Sequence, residues 1–169
     1  MPDAAGLRAI ADDLGAAHPG AITEHTHLLG QAQLHVDPAH APAVLQDLHD
    51  RGYRFLVSVF GLDYYPHEPR LGVVYELLDM QSVDRVSVKA RLSTDDPHIG
   101  TVTHIWPGAD FPERECFDMF GVVFDGHPDL RRILMPEDYE GYPQRRDFPT
   151  GGEPVLFTFN EETSYGKYQ

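Results

Sequence analysis

Residues 113–149 read ERECFDMFGVVFDGHPDLRRILMPEDYEGYPQRRDFP and are the most informative stretch of the chain. Between positions 112 and 129 the stretch carries five carboxylates and one arginine, and two Arg-Arg pairs follow. Glycine and proline interrupt it repeatedly, which is not the pattern of an ordinary core helix or strand. This alternation of charged, turn and aromatic residues predicts a fixed, irregular surface that binds another protein. The stretch contains no nucleophile beside a base, no phosphate-binding loop and no cluster of metal ligands.

The composition around this stretch is that of one soluble globular domain. A length of 169 residues is enough to bury a real core, and 41% of the residues are hydrophobic against 24% charged. The net charge of −14 disfavours nucleic acid and anionic lipid as partners. No apolar run approaches the roughly 20 residues that a membrane-spanning helix needs. The N-terminus lacks the features of a signal peptide, so we expect a cytosolic chain.

The chain has a single cysteine, Cys116. One thiol excludes an intrachain disulfide, and it excludes an iron–sulfur cluster held by this chain alone, because such clusters generally take four thiolates. His104 or His127 could in principle serve as a base for a nucleophilic thiol. However, Cys116 lies among Phe117 and Met119 in a predicted helix, which favours a packed residue.

The N-terminal third predicts a helix, a strand and a second helix. Apolar residues recur at helical spacing from position 7 to position 14, with Asp3 as a plausible N-cap. Alternating apolar residues predict a half-buried strand from Gln31 to Asp37. Pro38 then stands at the first helical position after an Asp N-cap, and the second helix continues to Asp50.

Three further strands are predicted at Tyr53–Phe60, Leu71–Met80 and Arg85–Leu92, each rich in β-branched or aromatic residues. The helix between the Gln31–Asp37 strand and the Tyr53–Phe60 strand suggests a parallel pair with a right-handed crossover. The later connections are short enough for antiparallel hairpins. The predicted fold class is therefore α+β: a small mixed β-sheet with helices packed on it, followed by an irregular Pro-rich C-terminal segment.

Two more helices are predicted after the sheet. The first spans Pro97–Trp106, and the second spans Phe111–Phe120, with Asp110 as its cap and Gly121 at its end.

Beyond the last helix regular periodicity fades, and repeated prolines keep the chain extended or turning. We therefore predict an α+β domain over residues 1–140 and an extended tail over residues 141–169 that lies on a partner surface.

The charged helix has two interpretations. Glu113 and Glu115 lie near its N-terminus, where the helix dipole favours negative charge, and Arg114 could pair with Asp118 on the surface. These features describe a capped, solvated helix end. Alternatively, the arginines that follow bind these carboxylates internally, or bind carboxylates of a partner, because guanidinium groups suit bidentate, desolvated pairing.

The stretch resembles the sequence of the thirty-kilodalton subunit (the C subunit) of respiratory NADH–quinone oxidoreductase, complex I. The matching segments are ERE (113–115), DMFG (118–121), GHPDLRRIL (126–134), PED (136–138), GYP (141–143) and RRD (145–147), with GLDY (61–64) and TVTHIW (101–106) upstream. The likeness is collinear and covers about Tyr53 to Pro149, so it is far more specific than a short motif.

The resemblance implies a particular role. Subunits of this family lie in the hydrophilic arm, carry no redox centre and pack against the forty-nine-kilodalton subunit (the D subunit). That neighbour forms the quinone-reduction site together with a cluster-bearing subunit. We therefore expect a non-redox structural subunit of a multisubunit, proton-translocating enzyme, with no catalytic, cofactor-binding or metal-binding residues of its own. FMN, iron–sulfur clusters and quinone would belong to other subunits.

The resemblance also implies a location, the cytoplasmic face of the cell membrane, where the complex holds the chain peripherally without direct insertion. We further expect one set of residues to stabilise the stretch and its contact with the D subunit. These are Glu113, Arg114, Glu115, Asp118, Phe120, His127, Asp129, Arg131, Arg132, Tyr142, Arg145, Arg146 and Asp147.

Two alternatives remain. Related subunits occur in membrane complexes that draw electrons from ferredoxin, a deazaflavin or hydrogen, and the sequence does not reveal the donor. The other is a free-standing metal hydrolase built on His25 and His27 with His35 or His40. A zinc site needs three or four ligands, and nothing in the sequence fixes a third, so surface histidines are favoured.

Overall fold

The computed structural model describes residues 4–28 and 31–149 of the chain. Its helices are α1 (Ala4–Ala17), α2 (Ala41–Asp50) and α3 (Asp110–Phe120), and its strands are β1 (Ile22–Leu28), β2 (Gln31–Val36), β3 (Phe55–Asp63), β4 (Leu71–Asp79), β5 (Asp84–Leu92), β6 (His98–Gly100) and β7 (Val123–Asp125). Short 3₁₀ helices at Pro38–His40 and Pro107–Ala109 lead into α2 and α3.

Five strands form a mixed sheet in the order β1-β2-β5-β4-β3. The β2–β5 pair is parallel, and the β1–β2, β5–β4 and β4–β3 pairs are antiparallel. The strands β6 and β7 form a separate parallel pair. Together with the helices, this mixed sheet confirms the predicted α+β class.

One hydrophobic core joins the helices to the sheet. Leu7 of α1, Leu48 of α2 and Tyr75 of β4 are fully buried members of the same cluster. Helix α3 packs across β3, where the Phe120 ring lies so close to Gly61 that a side chain at position 61 would collide with it. This close approach places the charged helix at the β3 edge of the sheet.

Several local predictions are confirmed. The Asp37 carboxylate accepts a hydrogen bond from the Ala39 amide at 2.9 Å, but this cap begins the 3₁₀ turn Pro38–His40. The α-helix itself begins at Ala41, later than predicted, and ends at Asp50 as its pattern predicts. The β3–β4 and β4–β5 connections are antiparallel. The proposed N-cap Asp3 lies outside the described residues.

The prediction for the pairing of β2 was incomplete. Strands β2 and β3 do run in the same direction, but β5 and β4 lie between them, so β5 is the parallel neighbour of β2. The edge strand β1 was not predicted, although it pairs with β2 along its length. Its residues 23–25 and 27 are exposed, so the strand lacks the apolar alternation that identifies a half-buried strand.

The predicted helix at Pro97–Trp106 is wrong. Residues 98–100 instead form β6, and Trp106 is buried with its indole N–H donating to the Arg54 carbonyl at 2.8 Å. Helix α3 begins at Asp110 without a side-chain cap, so that residue lies in the first turn. The end at Gly121 is confirmed, because this residue has the left-handed φ of 75° that favours glycine.

Residues 141–149 lie against the rest of the chain. The Gln144 amide donates to the Met119 carbonyl at 3.1 Å, and Asp147 contacts Arg70 before β4. The predicted tail beyond residue 149 lies outside the described residues, and its binding to a partner stays a prediction.

Candidate binding surface

The end of α3 is built around the carboxylate of Asp118, which is fully buried. Its Oδ1 accepts from Nη1 of Arg132 at 2.7 Å. Its Oδ2 accepts from three successive backbone amides, those of Ile133 at 3.0 Å, Leu134 at 2.7 Å and Met135 at 2.8 Å. One side chain therefore fixes the path of the loop that follows β7.

The electrostatics of this site favour the ionised carboxylate. Burial alone would raise the pKa of Asp118, but hydrogen bonds from the Met135 amide and the Arg132 guanidinium outweigh it, together with those from the two intervening amides. The pKa of Asp118 therefore lies below its ordinary value.

Two arginines link the same loop to α3 from both sides. Arg114 donates from Nε to the Arg131 carbonyl and from Nη2 to the Arg132 carbonyl, both at 3.2 Å. Arg132 also donates to the Gly141 carbonyl at 3.0 Å. The predicted surface pair of Arg114 with Asp118 is therefore wrong, because both side chains are buried and bind the loop instead.

The next turn of chain is fixed by Arg145. Its Nε donates to the Phe120 carbonyl at 2.7 Å, and its guanidinium lies 4.5 Å from the centre of the Tyr142 ring. A side chain at Gly121 would collide with both residues, since its Cβ would lie 2.5 Å from the Tyr142 ring and 2.7 Å from Arg145. The glycine is thus required by contact as well as by backbone conformation.

A buried Arg70–Asp63 ion pair, extended by the exposed Asp147, holds residues 145–149 in place. Arg70 donates to the Asp63 carboxylate at 2.7 and 2.8 Å and also binds Asp147. The Arg146 amide donates to the same Asp63 carboxylate at 2.7 Å. The Arg70 guanidinium holds the pKa of Asp63 well below its ordinary value, and the amides of Arg146 and Tyr65 add to this effect.

Three large apolar side chains of α3 and the loop are exposed. Phe111 is 63% exposed, Leu134 is 61% exposed and Ile133 is 36% exposed. Phe111 is linked to the loop by Arg114, whose guanidinium carbon lies 5.8 Å from the centre of the Phe111 ring. We call Phe111, Ile133 and Leu134 the apolar patch.

Exposed charges accompany the apolar patch. Arg131 pairs with Asp129 at 2.8 Å, and more than half of each side chain is exposed. The other exposed carboxylates of the helix and the loop are Glu115, Glu137, Asp138 and Glu140. The surface that the loop presents is therefore apolar and acidic.

The structure divides the predicted partner-binding residues into two groups. The buried or half-buried group makes contacts within the chain and comprises Glu113, Arg114, Asp118, Phe120, His127, Arg132, Tyr142 and Arg145. The exposed group comprises Glu115, Asp129, Arg131, Arg146 and Asp147. The interpretation of α3 as a solvated helix end is therefore wrong, and internal pairing by arginine is confirmed for Arg132. Contact of any of these residues with a partner stays a prediction.

The Asp63–Arg70 pair and the exposure of the apolar patch were not predicted from the sequence. Asp63 lies in the GLDY segment that resembles the family, and this was the sequence signal that could have identified the Asp63–Arg70 pair. Ile133 and Leu134 stand directly after an Arg-Arg pair, so their aliphatic character was visible, but their exposure was not.

The other chemical candidates have simple structural explanations. Cys116 is buried, and burial raises the pKa of its thiol, with Glu115 and Glu113 adding to the effect. His25 and His27 are exposed on the edge strand β1. Over residues 4–28 and 31–149, no group of three or more His, Cys, Asp or Glu residues is arranged to hold a metal ion. In the same ranges no helix is long and apolar enough to span a membrane.

Known proteins share both the sequence and the fold. The family described as "Respiratory-chain NADH dehydrogenase, 30 Kd subunit" matches residues 34–154. The C subunit of NADH-quinone oxidoreductase from Roseiflexus castenholzii is 45% identical over 155 residues, which are 90% of this chain and 89% of that protein. NADH-quinone oxidoreductase subunit 5 of Thermus thermophilus is 46% identical over 115 residues, covering 63% of this chain and 56% of that protein.

Two solved structures are similar. "Nqo5 of the trypsin-resistant fragment (1-134)" superposes with a TM-score of 0.65 at 30% identity, covering 73% of this chain and 98% of that one. A chain of the membrane-bound sulfane sulfur reductase, an archaeal respiratory membrane complex, gives a TM-score of 0.70 at 22% identity and covers 96% of this chain and 94% of that chain. The second likeness shows the fold alone.

The five-stranded mixed sheet with its packed helices is an α+β fold that the chain shares with the Nqo5 fragment. The chain belongs to the family of the thirty-kilodalton subunit of respiratory-chain NADH dehydrogenase, which includes the C subunit of bacterial NADH-quinone oxidoreductase. The resemblance identified from residues 53–149 is thus confirmed.

Proposed function

We propose that the chain is a non-redox structural subunit in the peripheral arm of a proton-translocating NADH–quinone oxidoreductase, where it binds the D subunit. Its family supports the assignment to this enzyme complex. The observation that carries the proposed binding is the apolar patch, because the buried Asp118 carboxylate fixes Ile133 and Leu134 in exposed positions. Large apolar side chains held in this way are typical of an interface and are costly to leave in water.

The charges around the patch indicate the chemistry of the partner surface. The exposed carboxylates near the patch outnumber its one exposed arginine, Arg131, which already pairs with Asp129. A complementary surface therefore has an apolar centre with lysine or arginine at its rim. We expect the D subunit to present such a surface to the loop at residues 129–140.

In this proposal the chain itself binds no cofactor. FMN, the iron–sulfur clusters and quinone are held by other subunits, and those subunits hold the chain at the cytoplasmic face of the membrane. The names of the relatives at 45% identity favour NADH as the electron source over ferredoxin, a deazaflavin or hydrogen. If NADH is the electron source, NADH-binding flavoprotein subunits should co-purify with the chain.

The substitution Leu134→Asp tests the proposed surface. Leu134 is 61% exposed, so its replacement should leave the unfolding midpoint of the isolated chain unchanged. Placing a charge in the centre of an apolar contact should lower the amount of assembled complex by about tenfold or more, since roughly 1.4 kcal/mol of lost binding is tenfold in affinity. The measurement is the quantity of the D subunit that co-purifies with the tagged chain.

A matched control is Ala16→Asp. Ala16 is exposed on α1, which packs at the opposite edge of the sheet from α3, and the substitution introduces the same charge. The control chain should recover the complex at the wild-type level. If the Leu134→Asp chain recovered as much D subunit as the wild type, the apolar patch would not be part of the interface.

A further inference from the structure

The carboxyl group of Glu113 is fully buried and takes no part in the contacts that fix the loop. It lies on the inner face of α3, where its Oε1 accepts from the Val102 amide at 2.8 Å and its Oε2 is hydrogen-bonded to the Thr101 hydroxyl. These two bonds connect α3 to the segment that follows β6. An acidic side chain in such a position needs either a cation or a proton.

His127 is the nearest candidate cation among the described residues. Its ring is fully buried, and its Nε2 lies 3.9 Å from Oε2 of Glu113. Its Nδ1 accepts a hydrogen bond from the Asp129 amide at 3.1 Å, and its Nε2 faces the Asp110 carbonyl at 3.3 Å. The same Nε2 lies 3.7 Å from Oδ1 of Asp110, so the ring is shared between two carboxylates, and its contact with Glu113 is longer than a hydrogen bond.

The other groups that act on Glu113 supply no positive charge. Asp110 lies one turn earlier on α3, and its negative charge acts on Glu113. Tyr75 of β4 and Cys116 of α3 complete the surroundings, and burial raises the pKa of both. Arg114 is adjacent in sequence, but its guanidinium donates to the carbonyls of residues 131 and 132.

The hydrogen bonds around Glu113 also accommodate the neutral acid. When Glu113 is ionised, the Thr101 hydroxyl donates to its Oε2. When Glu113 is protonated, this bond can reverse, and the Thr101 oxygen then accepts from Oε2 as well as from the Thr103 amide at 3.2 Å. The Thr101 hydroxyl can then donate to the Thr103 hydroxyl at 3.0 Å, and Oε1 still accepts from Val102. Burial raises the pKa of Glu113 to about 7, and the bonds from Thr101 and Val102 only partly oppose this shift.

We propose that Glu113 is a buried proton-binding site, protonated in the folded chain in acidic and near-neutral solution, whose ionisation destabilises the contact between α3 and the segment after β6. This inference is independent of the identity of the partner. It makes the stability of the folded chain depend on pH through one internal carboxyl group. Phe111 of the apolar patch lies on the same helix, and Asp129 lies on the loop that carries His127.

The direction of the pH dependence follows from the raised pKa. As pH rises above the ordinary value of 4.5, an unfolded chain loses this proton while the folded chain keeps it until about pH 7. The contribution of Glu113 to stability therefore falls progressively across this interval and is smaller at pH 8 than at pH 5.

Glu113→Gln tests the inference in the full-length chain, because glutamine keeps the size of the neutral acid and can accept from Val102 and donate to Thr101. Unfolding constants from chemical denaturation should rise from pH 5 to pH 8 by on the order of 10- to 100-fold more in the wild-type chain than in the variant. An equal rise in both chains, or a variant that does not fold, would overturn the proposal.

A second measurement needs no variant. Infrared spectroscopy of the wild-type chain should show the carbonyl band of a protonated carboxylic acid at pH 6, which disappears as the pH is raised to 8. The absence of this band at pH 6 would also overturn the proposal. Loss of binding to the D subunit would affect neither measurement, so this inference and the proposed function fail separately.

Discussion

Replacing Asp118 by alanine is expected to lower the free energy of unfolding by about 3–5 kcal/mol, the usual cost of removing one partner of a buried ion pair. The Arg132 guanidinium would lose its carboxylate, and the amides of residues 133–135 would lose their common acceptor. Side chains at both ends of this pair are largely shielded from water, at 0% and 14% exposure. The substitution should also release Leu134 from its fixed position, so assembly should fail together with stability.

Chemical denaturation of the full chain measures this effect, and two further variants define its origin. Asp118→Asn keeps the shape and one acceptor oxygen but removes the charge. The stability of this variant should therefore lie between that of the wild type and that of the alanine variant. Asp129→Ala removes an exposed carboxylate that pairs with Arg131, and its effect on stability should be small. Equal effects of Asp118→Ala and Asp129→Ala would show that burial of the Asp118 carboxylate contributes nothing.

Arg70→Ala is expected to have the second-largest effect, again about 3–5 kcal/mol of unfolding free energy. Asp63 is only 2% exposed, and removal of Arg70 leaves its carboxylate with amide donors and no cation. The same substitution removes the anchor of Asp147, which is 77 residues away in sequence. Residues 146–149 should therefore separate from β3 and β4, and trypsin should cleave faster after Arg145 and Arg146.

Asp147→Ala is the matched control for this prediction. Its carboxylate is 51% exposed, so its loss should cost no more than about 1 kcal/mol, although the chain after Arg145 should still become more accessible to trypsin. The comparison separates the buried Arg70–Asp63 bond from the outer Arg70–Asp147 bond. Equal losses of stability in the two variants would contradict this division.

The sequence predicted those parts of the fold that depend on local pattern. Helix α2 was predicted because Asp37 and Pro38 form a capped start, and β3, β4 and β5 because their runs are apolar and bounded by turn residues. Strand β1 was missed because an exposed edge strand needs no apolar face. The segment Pro97–Trp106 was wrongly predicted to be a helix because its apolar residues have helical spacing. In the structure, residues 98–100 of this segment pair with β7 instead.

The candidate site was predicted only in outline. The density of charge identified the segment that contains the internal pairs, and the resemblance identified the family of the chain. Local sequence could not show that Asp118 binds Arg132, 14 residues away, or that Glu113 is fully buried. Helical spacing placed Arg114 opposite Asp118, but the loop supplied better partners for both. Charged residues become internal here because tertiary contacts provide the hydrogen bonds that solvent would otherwise provide.

Photo-crosslinking from position 134 in the assembled complex tests the central claim most directly. A photoreactive amino acid would replace Leu134, and a control chain would carry it at Ala16, which is exposed on α1 at the other edge of the sheet. We predict that illumination links position 134 to the D subunit and that position 16 gives no such product. An intact complex in which position 134 crosslinks only to other subunits, or to none, would contradict the account.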